Sequence, residues 1–250
     1  MAALGTLLGK DSDVLRDRNF QLLLGVNLLA PLGVPLVSPI LNSLTGPFGV
    51  SEATTGLLIS FYTAPPILLI PLVGVLADRY GRKPLMVTGI LLFGIGGAGI
   101  AFTTDFRVAL GLRLVQGVGF AGLTPMIITA IGDSYRGTRE ATAQGLRFMT
   151  SGIYQAVFPL IGGALVVIAW QYPFLLYAMA FPIAVAVFVW FEEPARREDD
   201  GEVDTMPPKQ QVRELLGLLA DPRVLSLVLA RGVPMIVWIG FLTYNSIIVD

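Results

Sequence analysis

The segment Gly74–Leu85, GVLADRYGRKPL, decides the fold of this chain. It joins two runs without a charged side chain, residues 56–77 and 84–104. A helix of about 20 apolar residues spans a bilayer, so each run is long enough to cross one. Asp78, Arg79, Arg82 and Lys83 stand between the runs. The segment is therefore interpreted as a short polar loop between two membrane-spanning helices.

The composition of the whole chain favours a polytopic membrane protein. Of its 250 residues, 54% are hydrophobic and only 14% are charged, whereas a soluble domain has about 25% charged residues. The apolar runs are too long for the strands of a transmembrane barrel, which take about 10 residues, so we predict an all-α fold. The predicted spans are 20–41, 56–76, 85–103, 108–131, 145–167, 174–190 and 226–249.

The missing residue types exclude several classes of function. The chain has no cysteine and no histidine, which removes disulfides, thiolate or imidazole metal sites and histidine-based catalysis. No basic stripe with interleaved aromatic residues indicates a nucleic acid partner. We predict a protein that is not an enzyme and that uses neither a metal nor a cofactor.

The lysines and arginines predict the orientation, because cytoplasmic loops of membrane proteins are enriched in them. With the N-terminus in the cytoplasm, only Arg107 falls in an opposite loop. The expected cytoplasmic residues are Lys10, Arg16, Arg18, Arg79, Arg82, Lys83, Arg136, Arg139, Arg147, Arg196, Arg197, Lys209, Arg213 and Arg223. We therefore expect a multi-pass protein of the cell membrane with a cytoplasmic N-terminus.

The loop resembles the signature G-x-L-a-D-R-x-G-R-[RK] that lies between helices 2 and 3 of the major facilitator superfamily of secondary transporters. A loop that only fixed the topology would need arginine and lysine, but neither an aspartate nor glycines at these spacings. The matching residues are Gly74, Leu76, Ala77, Asp78, Arg79, Gly81, Arg82 and Lys83.

Three further segments resemble motifs of the same family. RLVQGVGFAG in the fourth span resembles R-x-x-Q-G-x-G, and WQYPF at 170–174 resembles the W-R-x-P-F found before helix 6 in drug exporters. PLIGG resembles the end of the antiporter motif G-x8-G-x3-G-P-x2-G-G, but Tyr154 and Phe158 replace two of its glycines. That departure weakens an assignment to drug/proton antiporters. The matches that imply close helix packing are Gly117, Gly119, Pro159, Gly162 and Gly163.

The resemblance implies an architecture for the whole chain. Residues 1–190 would form a six-helix transmembrane domain of two three-helix inverted repeats. Residues 191–223 would form a cytoplasmic linker with a short amphipathic helix. Residues 224–250 would begin the second transmembrane half with helix 7, and we expect the rest of that half to be missing from this chain.

The resemblance also implies a cytoplasmic gate. In the family, the aspartate that matches Asp78 locks the two halves together against a helix of the second half. The arginine that matches Arg82 pairs with an acid at the end of helix 4, which here predicts an Arg82–Asp133 ion pair. Gly74 would allow close helix packing and Gly81 a tight turn. The implied gate residues are Gly74, Asp78, Arg79, Gly81, Arg82 and Asp133.

Arg113 leads the candidates for a central cavity. A charge at the middle of a bilayer costs about 2.5–3.5 kcal/mol or more unless it faces a partner or a cavity, and no predicted span contains an acid. Two roles for Arg113 are open. The family resemblance implies a cavity residue that influences proton transfer or substrate binding, and the alternative is a structural tie to backbone carbonyls. The cavity candidates are Asn27, Arg113, Gln116, Tyr154 and Gln155, each of which could equally form a helix–helix hydrogen bond.

These features predict secondary transport of a small molecule by alternating access. The partial antiporter motif favours efflux of apolar or amphipathic compounds, and protons are a candidate coupling ion. The first span carries no acid, so this chain offers no proton carrier of its own. The alternatives are uptake of a sugar or metabolite and a truncated membrane protein that does not transport. The expected partners are a small-molecule substrate, the lipid bilayer and the missing C-terminal half.

Overall fold

The computed structural model describes residues 9–193 and six single positions between 217 and 237. All regular structure in this described part is helical, as the all-α prediction expected. The amphipathic helix and the seventh span lie outside the described residues, apart from those single positions.

Six helices form the frame of the described part, and we number them α1 to α6. They are α1 Arg18–Asn27, α2 Leu57–Tyr80, α3 Arg82–Gly99, α4 Phe106–Ser134, α5 Thr138–Ile168 and α6 Ala180–Trp190. Three helices of four residues lie between them, at Thr45–Phe48, Glu52–Thr55 and Tyr172–Leu175. The 3₁₀ segments are Gly9–Arg16, Ala30–Leu32, Ser38–Ile40, Asn42–Leu44, Ile100–Phe102 and Leu176–Met179.

Five segments are long and apolar enough to cross a membrane. They correspond to the second to sixth predicted spans and run over Glu52–Ala77, Arg82–Phe102, Phe106–Ser134, Thr138–Ile168 and Tyr172–Trp190. Many apolar side chains on their outer surfaces are exposed, among them Ile67, Leu68, Leu160 and Val167. Such surfaces suit contact with lipid, and the chain is a multi-pass membrane protein.

The first predicted span, 20–41, is not one continuous α-helix. α1 ends at Asn27, and the chain continues through short 3₁₀ segments to Leu44. Pro31, Pro35 and Pro39 account for the break, because proline lacks the amide hydrogen of the helix and its ring clashes with the carbonyl four residues earlier. The span predicted at 20–41 is therefore interrupted by 3₁₀ segments.

Local signals explain where the other helices begin. The Asp105 carboxylate caps α4 by accepting from the backbone N–H of Arg107 at 2.8 Å, and Asp17 caps α1 in the same way. Gly81 separates α2 from α3 with φ +89°, a backbone conformation that favours glycine. The tight turn predicted at Gly81 is confirmed.

Close helix packing is concentrated around α4, which packs against both α2 and α3. A Cβ atom on Gly119 would lie 2.5 Å from the Gly89 carbonyl oxygen, and one on Gly117 would overlap the Tyr62 carbonyl. A Cβ on Gly162 would lie 2.7 Å from the carbonyl oxygen of Leu36. These three predicted packing glycines lie at real close approaches.

Two other glycines do not pack closely within the described part of the chain. A Cβ on Gly74 or on Gly163 would have no neighbouring atom within 4 Å among the described residues, so the close packing expected at both stays a prediction. Pro159 is half-buried within α5. Whether a glycine is needed depends on where two helices cross, which the motif spacing alone does not give.

Candidate functional site

Polar contacts collect at one end of the bundle, where α1 and α3 begin and α4 and α6 end. The Asn19 side chain at the start of α1 donates to the Glu192 carbonyl at 2.8 Å and accepts from the Glu192 N–H at 3.0 Å. The Tyr135 hydroxyl donates to Asp17 Oδ2 at 2.6 Å. We call this region, defined by Asp17, Arg82, Asp133, Tyr135 and Glu193, the charged end.

Arg82 and Asp133 form an ion pair at the charged end. The pair joins the first residue of α3 to the end of α4, and the two side chains are 22% and 30% exposed. The pairing expected from the family resemblance is therefore present. It fixes the short loop after α2 against α4.

Glu193 is a member of the charged end that the sequence analysis missed. Its Oε1 atom accepts a hydrogen bond from the backbone N–H of Arg82, at a helix start where amides lack partners and a negative charge is favoured. A Cβ on Gly81 would lie 2.8 Å from both carboxylate oxygens of Glu193. The φ angle is what favours glycine at position 81, since the flexible Glu193 side chain could shift to make room for a Cβ.

A signal for Glu193 existed in the sequence. Glu192 and Glu193 directly follow the sixth span on a side where topology requires only positive charge. The same argument singled out Asp78, but it was not applied to this pair of acids.

The two remaining charged gate candidates lie at the end of α2. The backbone of Asp78 is helical, while its side chain lies outside what the structure describes, so its role stays a prediction. Arg79 is exposed, with its guanidinium 5.4 Å from the ring centroid of the neighbouring Tyr80. Arg79 therefore lies on the exposed surface at the end of α2, and among the described residues the ion pair of Asp133 is with Arg82.

The surroundings of Tyr135 at the charged end change the pKa of its hydroxyl. Burial and the hydrogen bond to Asp17 raise the pKa of Tyr135 well above its ordinary value. The neutral phenol is the form that donates to the carboxylate, so this hydrogen bond is strongest while Tyr135 keeps its proton.

A cavity of about 400 Å³ lies between residues 27–35, α2, α4 and α5. Much of its wall is apolar or aromatic, including Val34, Phe120 and Phe148. The polar lining residues are Asn27, Tyr62, Thr63, Thr124, Arg147, Ser151 and Gln155. The cavity thus offers an apolar space with a few polar groups, as small-molecule sites do.

Asn27 lines the cavity, and hydrogen bonds also hold it to α5. Its Nδ2 atom donates to Ser151 Oγ at 2.9 Å and to the Arg147 carbonyl at 3.1 Å. Ser151 Oγ lies 3.1 Å from Asn27 Oδ1 in return. Asn27 therefore ties α1 to α5, and it shapes the cavity wall more than it offers free hydrogen-bonding groups.

Arg147 lies inside α5, on the cavity wall. The count of positive charges placed it with the cytoplasmic loops, but the structure puts it in the third turn of α5 with 5% of its surface exposed. Position 147 also lies within the predicted span 145–167, and α5 begins at Thr138, seven residues before that span.

Arg113 and Gln116 lie beside the cavity and do not line it. Both side chains are fully buried, and Arg113 NH1 donates to Gln116 Oε1 at 2.7 Å. Aromatic rings of Tyr62, Phe174 and Tyr177 surround the guanidinium at 5.6–5.8 Å. Tyr62 also lines the cavity, so one ring separates the buried arginine from the cavity space.

The hydrogen bonding of Arg113 is incomplete within the described part of the chain. Its Nε and NH2 atoms and the Gln116 Nε2 atom have no hydrogen-bond partner there. One of the two expected roles of Arg113 was a tie to backbone carbonyls. Among the described residues, Arg113 donates no hydrogen bond to a backbone carbonyl. A buried guanidinium held mainly by rings and one amide is an expensive arrangement.

The last two cavity candidates are neighbours on α5. Gln155 lines the cavity. Tyr154 packs on Phe158, with their ring centroids 5.9 Å apart, and it is not among the residues that line the cavity. Side chains one residue apart on a helix diverge by about 100°, which explains the different surroundings of the pair.

The chain was compared with known proteins by sequence and by fold. Residues 23–249 match the Major Facilitator Superfamily. The bacillibactin exporter of Bacillus subtilis (strain 168) is 32% identical over 166 residues, which cover 63% of this chain and 41% of that protein. The chloramphenicol resistance protein of Pseudomonas aeruginosa is 28% identical over 175 residues, covering 68% of this chain and 42% of that protein.

A solved structure with a similar fold is the human organic anion transporter MFSD10. The TM-score is 0.60 at 19% identity, with 72% of this chain and 48% of that chain covered. This likeness shows the fold alone. The chain spans less than half the length of each of these three proteins.

Proposed function

The chain belongs to the Major Facilitator Superfamily, and we propose that it moves a small molecule across the membrane by alternating access, in the direction of export. Members of this family are transporters, not enzymes. The observation that carries the proposal is the cavity of about 400 Å³ between four segments of a chain whose residues 23–249 match the family.

Export is favoured over uptake by the relatives and by the cavity lining. The two curated relatives are named for the export of bacillibactin and for resistance to chloramphenicol. The wall of the cavity is mostly apolar, with Val34, Phe120 and Phe148 among its members. Such a wall suits an amphipathic compound better than a sugar, which needs many hydrogen bonds.

We assign the role of gate to the charged end, and we place that end and the N-terminus in the cytoplasm of a cell-membrane protein. The Arg82–Asp133 ion pair and the Glu193 contact hold the loop after α2 against α4 and α6. Asp78 lies near the end of α2, three residues before Gly81. A lock at this position would have to break each time the cytoplasmic side opened.

The source of energy is a separate part of the proposal. The described membrane-spanning helices carry no Asp or Glu within the cavity lining, so a proton carrier has to come from elsewhere in the protein. We expect transport to respond to a proton gradient through such a group.

The direct test is accumulation of radiolabelled chloramphenicol and 1-naphthoate in inside-out membrane vesicles that contain the protein. Export from the cell corresponds to uptake into these vesicles, so accumulation should exceed that of control vesicles and fall when the proton gradient is dissipated. If neither compound accumulates more in vesicles with the protein than in control vesicles, export is contradicted. Accumulation that ignores the gradient would contradict proton coupling alone.

A further inference from the structure

Arg147 is a buried cation on the wall of the cavity, and the transport proposal does not use it. Its side chain is 5% exposed and lies in α5 beside the cavity residues Phe148 and Ser151. Residues 147, 151 and 155 are four apart, so they share one face of α5, and all three line the cavity.

The partners of Arg147 leave its positive charge without a counter-charge. Nε donates to Gln144 Oε1 at 3.0 Å, and the guanidinium carbon lies 4.3 Å from the ring centroid of Phe148. Both partners are neutral. The two terminal nitrogens have no hydrogen-bond partner among the described residues, and none of the described cavity-lining residues is acidic.

An uncompensated guanidinium inside a membrane protein is costly, and a bound anion would lower that cost. The guanidinium is planar, and its N–H groups are placed so that two of them can donate parallel hydrogen bonds to a carboxylate or a similar acid group. The surrounding wall, with Phe120, Phe148 and Val34, suits an aromatic or aliphatic body. The cavity therefore offers two complementary halves for one ligand.

We propose that this cavity takes an anionic amphipathic compound, with an acid group on an aromatic or aliphatic body, and that Arg147 binds the acid group. The inference rests on the proposed function, because it treats the cavity as the substrate site. It goes further in naming the charge of the substrate and the residue that selects it.

The test compares two probes of the same shape, 1-naphthoate and its neutral amide, 1-naphthamide. Equilibrium dialysis measures the binding of each to the purified protein. A guanidinium forms stronger hydrogen bonds with a carboxylate than with a neutral amide, so we expect the carboxylate to bind about tenfold more tightly than the amide, which corresponds to about 1.4 kcal/mol. Arg147→Gln should weaken naphthoate binding by a similar factor and leave naphthamide binding within about twofold.

Arg139→Gln is the matched control, because Arg139 lies on the same helix but is half exposed and pairs with Asp13 away from the cavity. It should bind both probes as the unaltered protein does. A second variant, Thr124→Glu, keeps Arg147 and adds a negative charge to the cavity lining. It should also abolish the preference for naphthoate, so the test does not depend on the folding of Arg147→Gln alone.

Equal binding of the two probes by the unaltered protein would overturn the inference and leave the transport proposal standing. Undiminished naphthoate binding by a folded Arg147→Gln variant, or by Thr124→Glu, would overturn it as well. If neither probe binds to the unaltered protein, the inference about an anionic substrate is overturned, whereas the transport proposal is still decided by the accumulation of chloramphenicol in vesicles.

Discussion

The side chains of Arg82 and Asp133 form an ion pair that joins the start of α3 to the end of α4. The pair therefore links a residue of the loop motif to a residue 51 positions later in the sequence, since 133 − 82 = 51. It is partly shielded from water, with the side chains 22% and 30% exposed. Its strength can be measured directly.

We expect a double-mutant cycle with Arg82→Ala and Asp133→Ala to give a favourable coupling energy of about 1 kcal/mol. This is the upper end of the range for surface ion pairs, because both side chains are partly shielded from water. Thermal unfolding of the purified protein, the two single variants and the double variant provides the measurement. Strictly additive effects of the two substitutions would mean that the ion pair contributes nothing to stability.

Gly119→Ala tests the close approach of α3 and α4. The added Cβ would lie 2.5 Å from both the Gly89 oxygen and the Phe93 nitrogen, which are backbone atoms that cannot move independently. We expect destabilisation by about 1–3 kcal/mol, as for other overpacked sites. The readout is thermal unfolding in a fixed detergent.

Gly111→Ala is the control for that substitution, since it lies on the same helix and its Cβ would have no neighbour within 4 Å. It should be neutral or stabilise the protein by up to about 1 kcal/mol, because alanine is the better helix former. Similar losses in both variants would contradict the proposed close contact at Gly119.

The double variant Arg113→Met with Gln116→Met tests whether the buried arginine serves function or stability. Removing both partners of a buried hydrogen bond together is often nearly neutral, and here it also removes a buried charge with unpaired nitrogens. We expect thermal stability to be retained and vesicle accumulation of transported compound to fall by about tenfold or more. A collapse of stability would assign Arg113 a structural role, and retained transport would contradict a functional one.

Tyr135→Phe tests the hydrogen bond to Asp17 through its dependence on pH. The pKa of Tyr135 is raised in the folded protein from an ordinary value of 10.0. The contribution of this group is therefore fully present below pH 10 and is lost as the pH rises above that value. Between pH 7 and 9 the phenylalanine variant should be less stable by about 1 kcal/mol.

Above pH 10 the difference in melting temperature between the unaltered protein and Tyr135→Phe should shrink. Phenylalanine keeps the edge-to-face contact with Phe20, whose ring centroid lies 6.1 Å from that of Tyr135, so the comparison isolates the hydroxyl. A difference that stays constant up to pH 11 would show that the Tyr135 hydroxyl is not tuned by its surroundings.

The sequence predicted those features that depend on local composition or on a complete motif. The second to sixth spans follow from uncharged runs of helical length. The Arg82–Asp133 pair follows from the loop motif and from the position of an acid at the end of helix 4. The turn at Gly81 follows from the same motif.

Contacts that depend on how the helices pack could not be predicted from the sequence. Glu193 contacts a backbone amide 111 residues away, and no local pattern marks that pairing. Arg147 was counted with the cytoplasmic residues, whereas its burial on the cavity wall depends on how the helices pack. Gly74 and Gly163 satisfy motif spacings but face open space within the described part of the chain.

The central claim is that the cavity opens to one side of the membrane at a time and that the charged end controls its cytoplasmic opening. The chain has no cysteine, so a single Thr124→Cys substitution places one thiol in the cavity lining. An impermeant maleimide, added to either side of oriented vesicles, reports the access to that thiol. Thr104→Cys, in the exposed loop between α3 and α4, is the control.

The account predicts that adding Asp78→Ala raises maleimide labelling of the cavity thiol from the cytoplasmic side severalfold and lowers labelling from the other side. Labelling of the control thiol should not change. If Asp78→Ala leaves the labelling of the cavity thiol unchanged from both sides, the gate is contradicted, and with it the proposed mechanism.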